Sequence, residues 1–378
     1  MNVIAKIIKM HVRVLITAQI AAKASNSIQR QPKKLLLTAT HRQSLFGSTQ
    51  FFSRTLSSIK NSTLKYSQNH YSLSAVVSGF PKTQTNSRFN RELNGQIGED
   101  AYFISQYNNM NGLENEDLSK KNEKDSSESL SGNNADVIGV ADGVGGWKLY
   151  GIDPSKFSRQ LMQNCERLVE SGQFEATKPT SLLAKAYNEM KKSGEQKVFG
   201  SSTACVTMVC HDSGTMYTAN MGDSGLFVVR DGTLVHGTEE QTHCFNTPYQ
   251  LSLPPPEHME PGTLIDSPND ADVYKFQAQD GDIILLGTDG VFDNVDINVL
   301  LELINTIKGK KIDSNDLQKV CDAIALTAQE LSRNENFLSP FARNAIYHGY
   351  RDMYGGKEDD ISVILALVRM SHLPKSNK

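Results

Sequence analysis

The chain has 378 residues, enough for one large domain or two ordinary ones, and 38% of them are hydrophobic, which is sufficient for a sizeable core. The formal net charge of −3 hides an asymmetry, because residues 1–91 carry 14 Lys or Arg and no Asp or Glu. Residues 92–378 therefore hold the other 25 basic residues and all 42 acidic ones, a net charge of about −17 (25 minus 42). A body this acidic excludes a nucleic-acid-binding function, because phosphate contacts need clustered Lys and Arg.

The first part of the chain has the composition of an organelle transit peptide, since it is basic, rich in Ser and Thr and free of acid. On a helix Lys6, Lys9 and Arg13 would share one face, and such a helix would lie on an anionic membrane surface. The longest apolar run, residues 14–22, is interrupted by Gln19 and is far shorter than the roughly 20 residues of a transmembrane helix. We expect residues 1–77 to be a transit peptide and disordered basic leader; a disordered basic tail without targeting function is the alternative.

From about residue 78 the pattern changes to short strands, turns and amphipathic helices, so we place a folded domain at residues 78–372 and a tail at 373–378. Strand patterns occupy residues 101–105, 137–140, 202–211, 216–220, 225–230, 233–235, 272–277, 282–288 and 361–369. Helix patterns occupy residues 154–170, with Asp153 as N-cap, and residues 180–192, 296–307 and 314–331. Residues 107–134 are too polar to bury a core, which predicts a disordered insert. Strands interrupted by paired helices, without βαβ alternation, predict an α+β fold with antiparallel sheets and helices outside.

Five short acidic segments, the acidic islands, lie at the beginnings or ends of the hydrophobic runs of this domain. They are residues 98–101 (Gly-Glu-Asp-Ala), 141–147 (Ala-Asp-Gly-Val-Gly-Gly-Trp), 220–225 (Asn-Met-Gly-Asp-Ser-Gly), 287–293 (Gly-Thr-Asp-Gly-Val-Phe-Asp) and 358–362 (Glu-Asp-Asp-Ile-Ser). A single Asp-Gly pair is usually a turn, but turn chemistry does not explain several islands at strand ends. Carboxylates without His or Cys beside them suit Mg2+ or Mn2+ rather than zinc. The islands therefore predict a metal site.

Other chemistries fit the sequence less well. The glycine-rich residues 143–146 lack both the G-x-G-x-x-G order and the Lys of a phosphate-binding loop, and no serine stands in a G-x-S-x-G elbow. Two cations about 3.5–4 Å apart can bind a phosphoryl oxygen and activate a water molecule. Phosphoryl transfer needs positioning and charge neutralisation more than a protein nucleophile. The carboxylates thus point to hydrolysis of a phosphate ester.

In their order along the chain, the motifs Glu-Asp, Ala-Asp-Gly, Ser-Thr-Ala, Gly-Asp-Ser, Thr-Asp-Gly-Val-Phe-Asp and Asp-Asp-Ile-Ser resemble those of the metal-dependent type 2C serine/threonine protein phosphatases, over roughly residues 80–370. Residues 140–147 and 245–252 are similar to the mitochondrial subgroup of that family. The resemblance implies a four-layer α-β-β-α sandwich of two antiparallel sheets flanked by helices, with the metals in a cleft at one edge. It also implies that the leader is a mitochondrial transit peptide and that the protein acts in the matrix.

The resemblance implies a set of ligands for two ions, Mg2+ or Mn2+. Asp142 would bridge both ions, and Gly143 would contribute its carbonyl oxygen. Glu99 would serve one ion, directly or through water. Asp289 and Asp359 would hold the other.

The remaining acidic residues of the islands would have other roles by the same resemblance. Asp100 would be the catalytic residue, because it would orient a metal-bound water. Asp293 and Asp360 would support the ligands from behind. Asp223 is expected to be a turn and packing residue.

Two departures from the family pattern affect the site. The phosphate-binding arginine of the family usually lies four residues before the Glu of the Glu-Asp pair, where this chain has Gly95. Arg91 is the nearest substitute, so the phosphate-binding residue is left unassigned. Before the Ser-Thr-Ala motif, many members have an acidic residue for a third metal, whereas residues 197–199 here are Lys-Val-Phe. We therefore expect two ions rather than three.

These observations predict a protein phosphatase that hydrolyses phosphoserine and phosphothreonine by attack of a metal-activated water. Its partners would be phosphorylated protein substrates and not nucleic acid, and we expect a monomer. The alternative is a phosphatase-fold binding or regulatory module that keeps the cleft but has little or no turnover. Metal-dependent hydrolysis of a generic phosphate ester by the purified domain would separate the two.

Overall fold

A computed structural model describes residues 68–84, 86, 88–89, 94–108, 133–192, 194, 197–259 and 265–373. Most of the predicted leader, residues 109–132 of the predicted insert and residues 374–378 lie outside this part of the chain. The expectations for targeting and for a disordered insert therefore stay predictions.

The described strands are β1 (Gln68–Phe80), β2 (Gln96–Ile97), β3 (Asp100–Tyr107), β4 (Ala135–Ala141), β5 (Gly200–Ser202), β6 (Ala204–Cys210), β7 (Thr215–Met221), β8 (Gly225–Arg230), β9 (Thr233–Gly237), β10 (Thr242–Cys244), β11 (Thr247–Pro248), β12 (Leu251–Leu253), β13 (Asp272–Gln277), β14 (Ile283–Gly287) and β15 (Ile361–Leu373). The described α-helices are α1 (Ser155–Glu170), α2 (Pro179–Lys192), α3 (Asp289–Phe292), α4 (Ile297–Asn305), α5 (Ser314–Ser332) and α6 (Pro340–Tyr347). Short 3-10 helices occupy Gly145–Tyr150, Pro256–His258 and Pro268–Asp270.

Two antiparallel sheets form the centre of the fold. One sheet has the strand order β1-β15-β14-β8-β9, and the other has the order β13-β7-β6-β4-β3-β2. Neighbouring strands within both sheets pair antiparallel. Two further ladders pair β10 with β11 and β12 with β5. The prediction of antiparallel sheets is confirmed.

Both sheets are buried on both faces, as the alternation along single strands shows. In β4, Val137 belongs to the apolar cluster that includes α1 and α2, whereas Ile138 belongs to the cluster between the sheets. In β15, Leu365 packs in the cluster that includes α4 and α5, whereas Ile364 faces the cluster between the sheets. Three apolar layers thus separate four layers of secondary structure, which confirms the α-β-β-α sandwich.

The folded domain begins earlier than the sequence predicts. β1 starts at Gln68, ten residues before the predicted boundary at residue 78, and pairs with β15 from Gln68↔Leu373 to Phe80↔Ile361. The boundary at residue 78 is wrong because an acid-free composition marks a leader and the edge strand of a sheet equally well. β15 is also longer than predicted, since it continues past residue 369 to Leu373.

Smaller differences concern the insert and one strand. Tyr107 belongs to β3, and its ring packs edge-on against Phe174 with 5.7 Å between centroids. The carbonyl of Asn134 accepts a hydrogen bond of 3.0 Å from the backbone of His211. The predicted insert bounds, 107–134, are therefore slightly too wide. The predicted strand 202–211 is two strands, β5 and β6, with Thr203 between them.

Helix α1 is close to its prediction. Phe157, Leu161, Cys165 and Leu168 form its buried stripe. The helix begins one residue later than predicted, so Pro154 and not Asp153 is its N-cap residue. Oδ1 of Asp153 still accepts hydrogen bonds from the backbone N (3.1 Å) and the hydroxyl (2.7 Å) of Ser155. Within the residues described, none of the helices combines the length and hydrophobicity that crossing a bilayer requires.

Candidate metal centre

One cleft of about 220 Å3 collects residues from all five acidic islands. Its acidic lining residues are Glu99, Asp142, Asp223, Asp289 and Asp359. They lie directly before β3, after β4, after β7, just after β14 and just before β15, so both sheets contribute to the cleft. Segments up to 260 residues apart in sequence (359 minus 99) meet here because the strand ends of the two sheets lie at one edge of the sandwich.

The backbone holds Asp142 in place. Its N donates to the hydroxyl of Thr203 (3.1 Å), and its carbonyl accepts from the N of Thr203 (3.0 Å). The next residue, Gly143, donates its N to the carbonyl of Glu99 (3.2 Å). A Cβ at Gly143 would lie 2.6 Å from the carbonyl oxygen of Pro154, so only glycine fits this close approach. The loop that carries Asp142 is thereby fixed against the segment that carries Glu99.

Asp360 ties three segments of the site together. Its Oδ1 accepts from the backbone N of Lys82 (2.6 Å), and its Oδ2 accepts from the backbone N of Glu99 (2.8 Å). Gly98 has a φ of 63°, and a Cβ there would lie 2.0 Å from Oδ1 of Asp360. Asp360 is buried and does not line the cleft. Its hydrogen bonds therefore hold the backbone of Lys82 and of Glu99 beside the cleft.

Asp100 is a buried carboxyl group of which only one oxygen accepts a hydrogen bond. Oδ2 accepts from the hydroxyl of Thr288 (2.8 Å), whereas the buried Oδ1 has no hydrogen-bond partner. Burial, and then the charge of Asp360, raise the pKa of Asp100 well above its usual range. It is not itself one of the residues that line the cleft.

A lysine that sequence patterns did not single out lies among the carboxylates. Nζ of Lys357 donates to Oδ2 of Asp289 and to Oδ2 of Asp293 (2.7 Å), and it lies 3.8 Å from Oδ2 of Asp359. Burial opposes its charge, but the three carboxylates raise the pKa of Lys357 above its usual value. It is therefore a half-buried ammonium group, and it links Asp293 to the cleft. Periodicity could not predict this residue, since its partners Asp289 and Asp293 are more than 60 positions away in sequence.

The carboxylates of the cleft disfavour one another's ionisation. Burial, then the charges of Asp289 and Asp100, raise the pKa of Asp142 well above its usual value. Burial and the charge of Asp289 raise the pKa of Asp359 to about 6. Asp289 differs, because Lys357 outweighs the effect of burial and holds the pKa of Asp289 below its usual value. This concentration of negative charge favours the binding of cations.

Asp223 faces the cleft, although its motif predicts only a turn and packing role. It follows Gly222, which has a φ of 96°. Its Oδ1 is buried without a hydrogen-bond partner, and burial together with the charge of Asp289 raises its pKa well above the usual range. The glycine-bounded turn is present, but Asp223 is also part of the cleft wall.

The donor atoms suit a hard divalent cation. Three buried carboxylate oxygens, Oδ1 of Asp100, Asp223 and Asp289, have no hydrogen-bond partner. No His or Cys is among the described residues that line the cleft, and oxygen-only donors favour Mg2+ or Mn2+. In the described part of the chain no three Asp, Glu, His or Cys side chains already surround one coordination point. The charge and the oxygen donors of the lining carboxylates fit such ions, and in this structure Nζ of Lys357 contacts Asp289 and Asp293.

The two departures from the family pattern have different outcomes. Gly95 lies in a turn with a φ of 77° and has no side chain to offer a phosphate group, and Arg91 is outside the described residues. Residues 197–199 do not line the cleft. Asn246 and Pro248, from the segment 245–252, do line it.

Comparison with known proteins agrees with this cleft. Residues 137–337 match the family model described as stage II sporulation protein E (SpoIIE). The chain is 47% identical over 234 residues to a Xenopus laevis protein named protein phosphatase PTC7 homolog, covering 62% of this chain and 77% of that protein. A human protein of the same name is also 47% identical over 234 residues, covering 62% and 75% of the two chains.

A third relative extends the match along the chain. Protein phosphatase PTC7 homolog fig of Drosophila ananassae is 39% identical over 298 residues, covering 79% of this chain and 81% of that protein. Among solved structures, the photosystem II phosphatase PBCP is 27% identical with a TM-score of 0.57, covering 78% of this chain and 98% of that one. With its acidic cleft, its sandwich fold and these relatives, the chain belongs to the type 2C (PP2C) family of metal-dependent serine/threonine protein phosphatases.

Proposed function

We propose that this cleft binds two Mg2+ or Mn2+ ions and hydrolyses phosphoserine and phosphothreonine in phosphorylated proteins. The observation that carries the proposal is the convergence of Glu99, Asp142, Asp223, Asp289 and Asp359 from five separate segments on one small cleft. A protein buries this much like charge only where cations offset it.

The residues that line the cleft support the predicted ligand set. Asp142 would serve both ions and Gly143 would contribute its carbonyl oxygen, Glu99 would serve one ion, and Asp289 and Asp359 would hold the other. When bound, such ions offset the charge of phosphoryl oxygens and lower the pKa of a water molecule. In the overall reaction, water adds to phosphorus, the ester P–O bond breaks, and the serine or threonine hydroxyl leaves with a proton.

Asp100, a buried group that does not itself line the cleft, would orient the attacking water. Its Oδ2 is held by Thr288, so its unpartnered Oδ1 has a defined direction and can accept a hydrogen bond from water. Asp360 keeps the geometry by fixing the backbone of Glu99. Asp293 holds Lys357, which in turn contacts Asp289.

Hydrolysis by the purified full chain tests this function. We expect release of phosphate from phosphoserine and phosphothreonine peptides that requires Mg2+ or Mn2+ and stops on chelation. Asp289→Asn should lower kcat/KM by at least about 100-fold, since even residues behind metal ligands commonly contribute about 10–100-fold. Hydrolysis that survives exhaustive chelation, or full activity of Asp289→Asn, would contradict the metal assignment.

The alternative of a binding module is weaker, because all the predicted ligands lie in one cleft. Such a module would bind Mn2+ and phosphopeptide without releasing phosphate, so the same assay separates the two. A monomer remains our expectation, and sedimentation of the purified protein tests it.

We also propose that the protein acts in the mitochondrial matrix. The acid-free, basic composition of the first 91 residues and the sequence similarity to a mitochondrial subgroup support this location. Fusion of residues 1–67 to a reporter protein should carry the reporter into the matrix. Cytosolic or secretory localisation of the fusion would contradict the proposal.

A further inference from the structure

We propose that the ammonium group of Lys82 binds the phosphate of the substrate, replacing the arginine that the family carries before its Glu-Asp pair. This inference rests on the phosphatase function proposed above. It assigns the one part of the site for which the motif residue is missing, since Gly95 has no side chain at that position.

The backbone of Lys82 is held at the cleft. Lys82 lies two residues after β1, and its N donates to Oδ1 of Asp360 (2.6 Å). Because the end of β1 pairs with the start of β15 at Phe80↔Ile361, the lysine is fixed beside the segment that carries Asp359. Its position therefore depends on the same hydrogen bonds that position the predicted ligands.

The side chain of Lys82 lines the cleft and still reaches solvent. It is 45% exposed, and its Nζ lies 3.4 Å from Oδ1 of Asp359. A loose ion pair at the mouth of a cleft can be exchanged for a phosphate oxygen at little cost, because exposed pairs contribute only about 0–1 kcal/mol. Lysine is a common phosphate-binding residue that acts as a point charge.

Other nearby cations are less suited to this role. Lys357 also lines the cleft, but it is only 19% exposed and is engaged by Asp289 and Asp293. Lys148 pairs with Glu99 and is not among the described residues that line the cleft. Lys82 is therefore the described lysine that both lines the cleft and has an exposed ammonium group.

A charge count supports a phosphate contact by Lys82. Two divalent ions bring four positive charges, which four predicted ligands (Glu99, Asp142, Asp289 and Asp359) would offset, and the opposite charges of Asp223 and Lys357, which also line the cleft, offset each other. A bound phosphate dianion then needs a further cation. Ligation of Asp359 to a metal would weaken its ion pair with Lys82, and the ammonium group could then bind a phosphate oxygen.

The test compares the full-length protein with Lys82→Met, Lys82→Arg, Arg91→Met and a matched control, Lys319→Met. Lys319 is 44% exposed and its Nζ lies 3.5 Å from Oδ1 of Asp316, so its exposure and its ion pair resemble those of Lys82. Lys319 does not line the cleft. Titration calorimetry measures the Kd of inorganic phosphate for the Mn2+-loaded protein and, separately, the Kd of Mn2+. Steady-state kinetics on a phosphopeptide gives kcat and KM.

We expect Lys82→Met to raise the Kd of phosphate and the KM of the phosphopeptide roughly tenfold or more, the usual size of a lost hydrogen bond to a charged group. Its Kd for Mn2+ should not rise above the wild-type value, Lys82→Arg should restore phosphate binding, and Lys319→Met and Arg91→Met should behave like wild type.

Three results would overturn the inference: unchanged phosphate binding by Lys82→Met, an equal loss of Mn2+ binding, or a tenfold loss confined to Arg91→Met. Failure of the wild-type protein to hydrolyse any phosphopeptide would refute the proposed function instead. The phosphate Kd values would still decide the role of Lys82.

Discussion

Replacing Asp359 by asparagine should stabilise the metal-free protein while removing its response to metal. The pKa of Asp359 is raised to about 6 from 3.8, by burial and then by Asp289. At neutral pH the ionised group therefore costs the folded protein up to about 3 kcal/mol relative to the unfolded chain. Asparagine removes this cost, and for a domain of this size the gain corresponds to roughly 5–10 °C in Tm.

The sign of this effect depends on pH. Because the folded pKa is above the unfolded one, the unfavourable contribution of Asp359 is absent below about pH 4 and grows as pH rises through about 6. The Tm advantage of Asp359→Asn over wild type, measured in a chelator by differential scanning fluorimetry, should therefore be large at pH 7.5 and close to zero at pH 4. Saturating Mn2+ should raise the Tm of wild type but not that of the variant, since only the wild type keeps the ligand.

The neighbouring Asp360 provides a control. Burial raises the pKa of Asp360 too, so asparagine removes an ionisation cost there as well. However, the two oxygens of Asp360 accept hydrogen bonds from the backbone N of Lys82 and of Glu99, and asparagine offers only one acceptor oxygen. Because the lost hydrogen bond costs about 1–3 kcal/mol, Asp360→Asn should have a lower metal-free Tm than Asp359→Asn. A lower metal-free Tm for Asp359→Asn, or a Mn2+ response as large as that of wild type, would refute the placement of Asp359 among the ligands.

Three further predictions concern the body of the domain. Removal of residues 1–67 should leave a folded protein, whereas removal of residues 1–77 deletes ten of the thirteen residue pairs between β1 and β15. At about 1 kcal/mol for each hydrogen bond, this loss is comparable to a typical free energy of unfolding of about 5–15 kcal/mol. Circular dichroism of the shorter protein should therefore show no cooperative unfolding. Iodoacetamide at pH 8 should label the exposed Cys244 and spare Cys165, whose thiol pKa is raised by burial. Labelling should leave phosphatase activity intact. Loss of activity in a labelled Cys244→Ser variant would show that another cysteine reacts and is needed for activity. Burial lowers the pKa of His236, so the unfolded state takes up the proton first and wild-type stability should fall more between pH 7 and pH 5 than that of His236→Phe; parallel profiles would contradict this.

The elements predicted best from sequence are those bounded by turn residues at both ends. β8 and β13 have the predicted bounds, because alternating side chains run between glycine or aspartate turns. β1 was not recognised, because its Ser-rich residues resemble the leader that precedes it. Helix α6 was also missed, although Ser339 before Pro340 is a start signal and Oγ of Ser339 accepts from the N of Ala342 (3.0 Å). Its short apolar stripe, with only Ala342 and Ala345 buried, gave periodicity little to detect.

The acidic residues of the candidate site could be predicted, but the lysines that lie among them could not. Asp142, Asp289 and Asp359 stand in short motifs whose glycines and strand-end positions are visible in sequence. Lys357 and Lys82 gain their significance only from contacts across the fold, and a solitary lysine in a loop carries no pattern. Local composition therefore identifies the acidic residues of the cleft, whereas tertiary structure decides which lysines balance their charge.

The pairing of β1 with β15 has a consequence for the order in which the protein folds. Phe80 and Ile361 are partners separated by 281 positions (361 minus 80), and contacts of such long range form slowly because a long loop must close first. During synthesis β1 emerges first among the described strands and its partner last, so β1 and β14 expose unpaired edges until then. Asp359 and Asp360 directly precede β15. A nascent chain therefore has neither a closed sheet nor a complete cleft, and it becomes a phosphatase only when its final strand docks.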